Sequence, residues 1–150
     1  MASQMLKRFF SCITLAGTPI FYVPAIICLW RISPGSYAKL VASVLLVEVV
    51  CGIIKILYAT ERPVPARKKS TLFQKYEASS FPSIHSARIM AVAVILAALY
   101  RNWLLAVAAL SVAAAVGYSR IYLKRHHAID VLGGFAIAAA ISIVVLALSK

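Results

Sequence analysis

The sequence predicts an all-α fold: a polytopic bundle of about five transmembrane helices. Two observations lead there. Of 150 residues, 63% are hydrophobic and the mean hydropathy is +0.91, far above a soluble domain. Uncharged runs at Phe9–Trp30, Asn102–Ser119 and Val131–Ser149 each approach the ~20 residues that cross a bilayer core.

The elements follow in order. The first helix spans 10–30, with Pro19 and Pro24 bending it, as membrane helices allow when neighbours satisfy the freed carbonyls. Lys7-Arg8 before it raises a cleaved signal. The run instead continues to Leu29-Trp30-Arg31, an interfacial anchor, so the helix is expected to be retained. After a Ser33-Pro34-Gly35 turn, the second helix covers 37–60. The stretch 61–80 is basic, polar and broken by Pro63 and Pro65, so it belongs outside the hydrocarbon. The third helix starts at Pro82-Ser83, where proline and a serine cap suit a helix start, and ends near Tyr100. Arg101-Asn102 is a very short turn, the fourth helix covers 103–119, and the fifth runs from His126 to Leu148. No internal repeat stands out, and the length suits a single domain over 1–150.

If each helix crosses once, the 61–80 and 120–125 loops fall on one face of the membrane. The polar residues then meet there. The chain has three histidines and one aspartate, and His85, His126, His127 and Asp130 are all of them. Such residues in a hydrocarbon-rich chain mark function.

Asp130 lies four residues after His126, on the same helical face. It can accept a hydrogen bond from one imidazole nitrogen and leave the other free as nucleophile or base. Lys55 and Arg62 are seven residues apart, about two helical turns, and Arg120 adds a third cation. Three converging cations suit a phosphoryl group. Ser83 and the unpaired N–H groups at the start of the third helix add donors. His85, in that first turn, is placed to protonate a departing oxygen. The implied reaction is phosphoryl transfer to His126 and then to water. No metal or other cofactor is expected, because the cation cluster repels a divalent ion and only His126-His127-x-x-Asp130 looks ligand-like.

Three segments in order carry a resemblance: Lys55-x6-Arg62-Pro63, Pro82-Ser83-x-His85, and Ser119-Arg120-x5-His126-x3-Asp130. Together they resemble the signature of the type 2 phosphatidic acid phosphatase (PAP2) family of integral membrane lipid phosphatases. The resemblance implies a metal-independent enzyme built as a helix bundle. His126 would be the nucleophile held by Asp130, and His85 the acid. Lys55, Arg62, Ser83, the Ile84 backbone N–H and Arg120 would bind phosphoryl oxygens. Ile84 stands where the family usually has glycine, which predicts a local change in the loop, because isoleucine avoids positive φ. Bacterial members often have six helices; with five, the first of that plan would be missing and the N-terminus would lie on the catalytic face.

Other polar residues have plainer readings. Lys68, Lys69, Lys124 and Arg125 read as snorkelling interfacial residues and His127 as an interfacial neighbour. Glu48 reads as a structural hydrogen-bond partner inside the bundle. Arg88 can pair with Glu48, Glu61 or Glu77, or contact a second phosphate. Cys12, Cys28 and Cys51 sit in apolar runs without metal spacing and read as small buried hydrophobes.

The formal charge of +12 then points to anionic lipid or a phosphorylated substrate rather than nucleic acid, whose binders are seldom this apolar. The expected partners are the bilayer and a lipid phosphate; the oligomeric state is left open. A polyprenyl diphosphate is favoured, because Phe81-Pro82-Ser-x-His-Ser-Ala-Arg88 resembles prenyl-diphosphate members. Phosphatidic acid and phosphatidylglycerol phosphate are the alternatives, and a non-catalytic lipid-binding or transport subunit is the alternative of another class. A vanadium haloperoxidase shares the pattern but is soluble and much larger. An integral, multi-pass cell-membrane location follows. Outside the motifs, the catalytic face carries Lys7, Arg8, Arg67, Lys68, Lys69, Lys75, Lys124 and Arg125, against Arg31, Lys39, Arg101 and Lys150 opposite. That excess favours a cytoplasmic site. The resemblance to carrier-recycling members favours an extracytoplasmic one, and the reading leans that way.

Overall fold

The computed structural model describes residues 2–64 and 71–149. The basic residues Arg67, Lys68, Lys69 and Lys150 from the charge count lie outside them. Among the described residues the elements are α1 (Ala2–Leu15), α2 (Pro19–Ile32), α3 (Pro34–Leu57), α4 (Leu72–Ala78), α5 (Ile84–Tyr100), α6 (Trp103–Tyr122) and α7 (Ala128–Leu148). The fold is all-helical, as expected.

The expected single helix over 10–30 is two helices, with a break at Ala16–Thr18. Pro19 starts α2 rather than bending a longer helix, and it pushes the preceding Thr18 out of helical conformation. Pro24 does sit inside α2. At 1.5 Å per residue, α1 and α2 each reach about 21 Å, short of a ~30 Å hydrocarbon core. Helices α3, α6 and α7 are long and apolar enough to cross a membrane, and α5 is a shorter apolar helix of 17 residues. The expected count of five crossings is therefore not reproduced by length. Within the 61–80 stretch, α4 is an unexpected helix.

Buried stripes at helical spacing build the core. Leu40, Val44, Val47 and Cys51 of α3 pack on Ile84, Ala87, Ala91 and Ile95 of α5 and on Ala138 of α7. On the other side, Ile89 and Ala93 of α5 meet Ala113 and Val116 of α6, flanked by Ile13 of α1 and Phe135 of α7. Small residues let these helices approach closely, the usual device where lipid removes the hydrophobic drive between helices. The outer faces carry exposed Leu45, Leu46, Val49, Ile53, Leu104, Val107, Ile143 and Val144, as a lipid-facing surface requires. Cys51 is buried as expected. Cys12 is exposed on α1, contrary to the buried reading, and the Cys28 side chain lies outside the described residues.

The stripes place the site. Continued one turn, the α3 stripe ends in buried Lys55; that of α6 (Ala113, Val116, Gly117) ends in buried Arg120. The α7 stripe begins with Asp130 and continues through Gly134 and Ala138. The ends of α3, α5, α6 and α7 thus converge, as the topology predicted.

Candidate active site

Local hydrogen bonds fix each side chain. The Arg120 carbonyl accepts the N–H groups of Arg125 (3.0 Å) and His126 (3.2 Å), so the loop after α6 folds back and sets His126 beside Arg120. The Ser83 N–H donates to the Asp130 carbonyl at 2.9 Å, which ties the start of α5 to the start of α7. Thr60 holds the incoming strand of chain: its carbonyl accepts from Ser80 N–H at 3.0 Å and its Oγ1 from Phe81 N–H at 2.7 Å. Lys55 Nζ donates to the Ser79 carbonyl at 2.5 Å.

A cavity of about 560 Å³ opens at this end of the bundle, lined in part by Lys55, Arg62, Ile84, His85, Arg120 and His126. Its volume is that of a small-ligand site. Among the described residues, the Nε atoms of Arg62 and Arg120 are buried without a hydrogen-bond partner. Guanidinium N–H groups left buried in this way cost free energy until an acceptor arrives. Burial, and then the charge of Arg125, push the Arg62 guanidinium below its ordinary range.

His126 is almost fully buried, and its Nδ1 faces Asp130 Oδ2 at 3.6 Å, too far for a hydrogen bond. Ser80 sits beside this pair and touches both members. Ser80 Oγ makes a short hydrogen bond to Asp130 Oδ2 and lies 3.5 Å from His126 Nδ1. With its own proton on Asp130, Ser80 can accept only from a protonated Nδ1. That leaves Nε2 as the lone-pair nitrogen. Asp130 Oδ2 also accepts the His127 N–H at 2.7 Å. Burial first, then Arg120, Lys55 and Arg62, push the His126 imidazole from 6.5 down to about 2, so it is neutral at working pH.

Ser83 lies apart from the cavity lining. It is buried, and its Oγ pairs with Ser86 Oγ at 3.0 Å. Its N–H is taken by Asp130, so Ser83 supports the site from behind. It occupies the cap position of α5 but its side chain makes no capping bond.

A sequence model of the PAP2 superfamily matches residues 36–150. The chain belongs to the PAP2 superfamily. It is 33% identical over 94 residues to the undecaprenyl-diphosphatase BcrC of Bacillus subtilis (strain 168). That alignment covers 60% of this chain and 46% of the relative, so the chain spans about half the length of the curated protein it matches. The fold matches that of Aquifex aeolicus LpxE with a TM-score of 0.82, covering 95% of this chain and 86% of that one at 24% identity. It also matches the first transmembrane PAP2 type phosphatidylglycerolphosphate phosphatase from Bacillus subtilis, with a TM-score of 0.77, covering 96% and 76% at 24% identity. The chain is an integral membrane protein of this fold.

Within the PAP2 frame, Ile84 needs no glycine-like backbone. Positive φ among non-glycine residues falls at Arg101 and Lys124, while Ile84 opens α5 and buries its side chain in the core. The α1–α2 break abuts the site: a Cβ on Gly17 would stand 2.9 Å from the His85 carbonyl oxygen. Helix α1 packs there through Phe10 against Tyr118 and Tyr122, and Thr14 Oγ1 bonds Ser119 Oγ at 2.7 Å.

The sequence reading missed Ser80 and Gly17, and it missed that Gln74, Tyr76, Glu77 and Ala78 of α4 line the cavity. A signal for α4 was present. Thr71-x-x-Gln74 is a capping box, and both of its bonds form: Gln74 N–H to Thr71 Oγ1 at 3.2 Å and Thr71 N–H to Gln74 Oε1 at 3.3 Å. Tyr76 then lies over the Lys55 ammonium, 6.0 Å from ring centroid to Nζ.

Proposed function

We propose that the protein is a metal-independent lipid phosphate phosphatase whose favoured substrate is a polyprenyl diphosphate, acting through a phosphohistidine at His126. The observation that carries this is the pair of buried guanidinium Nε groups of Arg62 and Arg120, without a partner among the described residues, beside a histidine whose Nε2 is left as the lone-pair nitrogen. The substrate class draws support from the similarity to the undecaprenyl-diphosphatase.

Lys55, Arg62 and Arg120 hold the terminal phosphoryl oxygens, with the first N–H groups of α5 as further donors. His126 Nε2 attacks phosphorus. The P–N bond forms as the P–O bond to the leaving group breaks, and the electron pair goes to the departing oxygen. His85 donates a proton to that oxygen. In the second half, His85 takes a proton from water, the hydroxide attacks the phosphohistidine, and phosphate leaves with His126 restored. The Ser80–Asp130 relay steadies the positive charge on His126 during both steps. The cations stabilise the equatorial oxygens, so no divalent ion is needed for that task.

The test is phosphate release from polyprenyl diphosphate, phosphatidic acid and phosphatidylglycerol phosphate in detergent with excess EDTA. Release by wild type and none by His126→Ala is expected, together with acid-labile radiolabel on the wild-type protein. No release from any of the three moves weight to a lipid-binding or transport role. An extracytoplasmic site predicts that a cysteine introduced at Val64 reacts with an impermeant reagent in intact cells.

A further inference from the structure

Arg88 has no part in the chemistry above, yet it lines the same cavity as His85. It stands three residues further along α5, on the same face and roughly 4.5 Å deeper into the bundle. Its Nε and Nη2 both engage the carboxylate of Glu48 on α3, the second at 2.9 Å. Glu48 in turn lies seven residues before Lys55, two turns deeper on the same face of α3. The cavity therefore has two tiers. Lys55, Arg62, Arg120, His85 and His126 form the outer one. The inner one is Arg88, with its guanidinium plane set by a two-point grip.

An ion pair this deep in a lipid-facing bundle carries a desolvation cost that apolar packing would avoid, and intramembrane charges of this kind mark substrate contacts. The inner tier lies where the leaving group must be. A phosphoryl group on the outer cations and His126 directs its scissile bond past His85 and inward, towards the lipid tail. In a diphosphate, the group just beyond that bond is the second phosphate.

We infer that Arg88, oriented by Glu48, binds the phosphate that remains on the lipid when a diphosphate is cleaved. When the P–O bond breaks, its electron pair stays on the former bridging oxygen, which becomes a terminal oxygen of the lipid monophosphate. Until His85 protonates that oxygen, Arg88 shares in stabilising the charge that develops on the remaining phosphate. A monophosphate lipid offers no such group to this tier. Arg88 is thus a substrate contact that sets diphosphate over monophosphate preference, and Glu48 is its positioning residue. The inference rests on the phosphatase reading above.

The experiment compares kcat/KM on a polyprenyl diphosphate and on the polyprenyl monophosphate of the same tail, using the full chain. Removing Arg88 alone strands Glu48, so Arg88→Gln is paired with the charge-neutral double variant Glu48→Gln/Arg88→Gln, and folding is checked by gel filtration. The diphosphate-to-monophosphate ratio is expected to fall about 10- to 100-fold in both, the range of a lost charge-assisted contact. Glu48→Gln alone, which keeps the cation but frees its plane, should show a smaller fall in the same ratio. A folded double variant with an unchanged ratio overturns the assignment, as does a wild type that cleaves only the monophosphate. A wild type that cleaves neither lipid removes the polyprenyl reading, and the phosphatase reading falls only if phosphatidic acid and phosphatidylglycerol phosphate also stay intact.

Discussion

Gly134→Ala is the smallest change that should disable the site without touching a residue in it. Gly134 lies one turn after Asp130 on α7. A Cβ there would stand 2.6 Å from the Ser83 carbonyl oxygen and 3.4 Å from the Ala87 nitrogen. Both are backbone atoms, so neither can rotate aside. The nearer contact falls 0.8 Å inside the 3.4 Å at which ordinary contact begins, and α5 and α7 must separate by about that much. Overpacking of this kind costs about 1–3 kcal/mol. The 2.9 Å bond from Ser83 N–H to the Asp130 carbonyl would stretch beyond hydrogen-bonding range, adding about 1 kcal/mol. The same shift moves His85, in the first turn of α5, away from His126, at the head of α7. A misplacement near 1 Å costs roughly 100-fold in rate. The expected result is an apparent Tm lower by roughly 5 °C and a kcat lower by roughly 30- to 100-fold. Phosphate release and thermal unfolding in detergent measure the two. Gly35→Ala is the control, since nothing lies within 4 Å of its added Cβ. A Gly134→Ala protein with kcat within about twofold of wild type would refute the argument that this backbone contact sets the spacing of the two histidines.

Gly17→Ala pushes the α1–α2 turn off the His85 backbone, and kcat should fall about 10-fold with KM little changed; an unchanged kcat means that the turn does not position His85. Ser80→Ala breaks the relay to Asp130. It should lower kcat by about 10- to 100-fold on every lipid alike, and a loss confined to KM would contradict the relay. His126 also carries a stability signature. Its folded form stays neutral far below 6.5, while the unfolded chain protonates it there. The unfolded state therefore gains a proton as pH falls, so stability present above pH 6.5 is lost progressively below it. His126→Asn removes that titration, and its apparent Tm should fall less steeply than that of wild type between about pH 6.5 and 5. Parallel slopes would show that His126 is not the buried neutral group described here.

The residue types needed for the chemistry were legible in the sequence because they are scarce. A chain with one aspartate and three histidines leaves few ways to build a site. The long apolar runs also predict a bundle whose loops alternate faces. Lys55, Arg62, His85, Arg120 and His126 do line one cavity, where that expectation had them meet. Pairing at close range was not legible. The sequence reading had Asp130 touching His126, because four residues on a helix share a face. His126, however, precedes α7, its Nδ1 stands 3.6 Å from Asp130 Oδ2, and Ser80, fifty residues before Asp130, sits beside the pair and touches both. Nor could Ser83 be known to turn its hydroxyl towards Ser86, since either orientation satisfies a helix start.

The sequence by itself determined the class of fold, the membrane setting and the inventory of reactive groups, because composition and periodicity act over short stretches of chain. The tertiary structure decided the packing of the α1–α2 turn on His85, the placement of α4 over the cavity and the inner tier of Glu48 and Arg88. Each depends on atoms far apart in sequence approaching within a few ångströms. The choice among Glu48, Glu61 and Glu77 as partner of Arg88 shows the difference. All three carboxylates were visible in the sequence, and only the packing of α3 against α5 selected one.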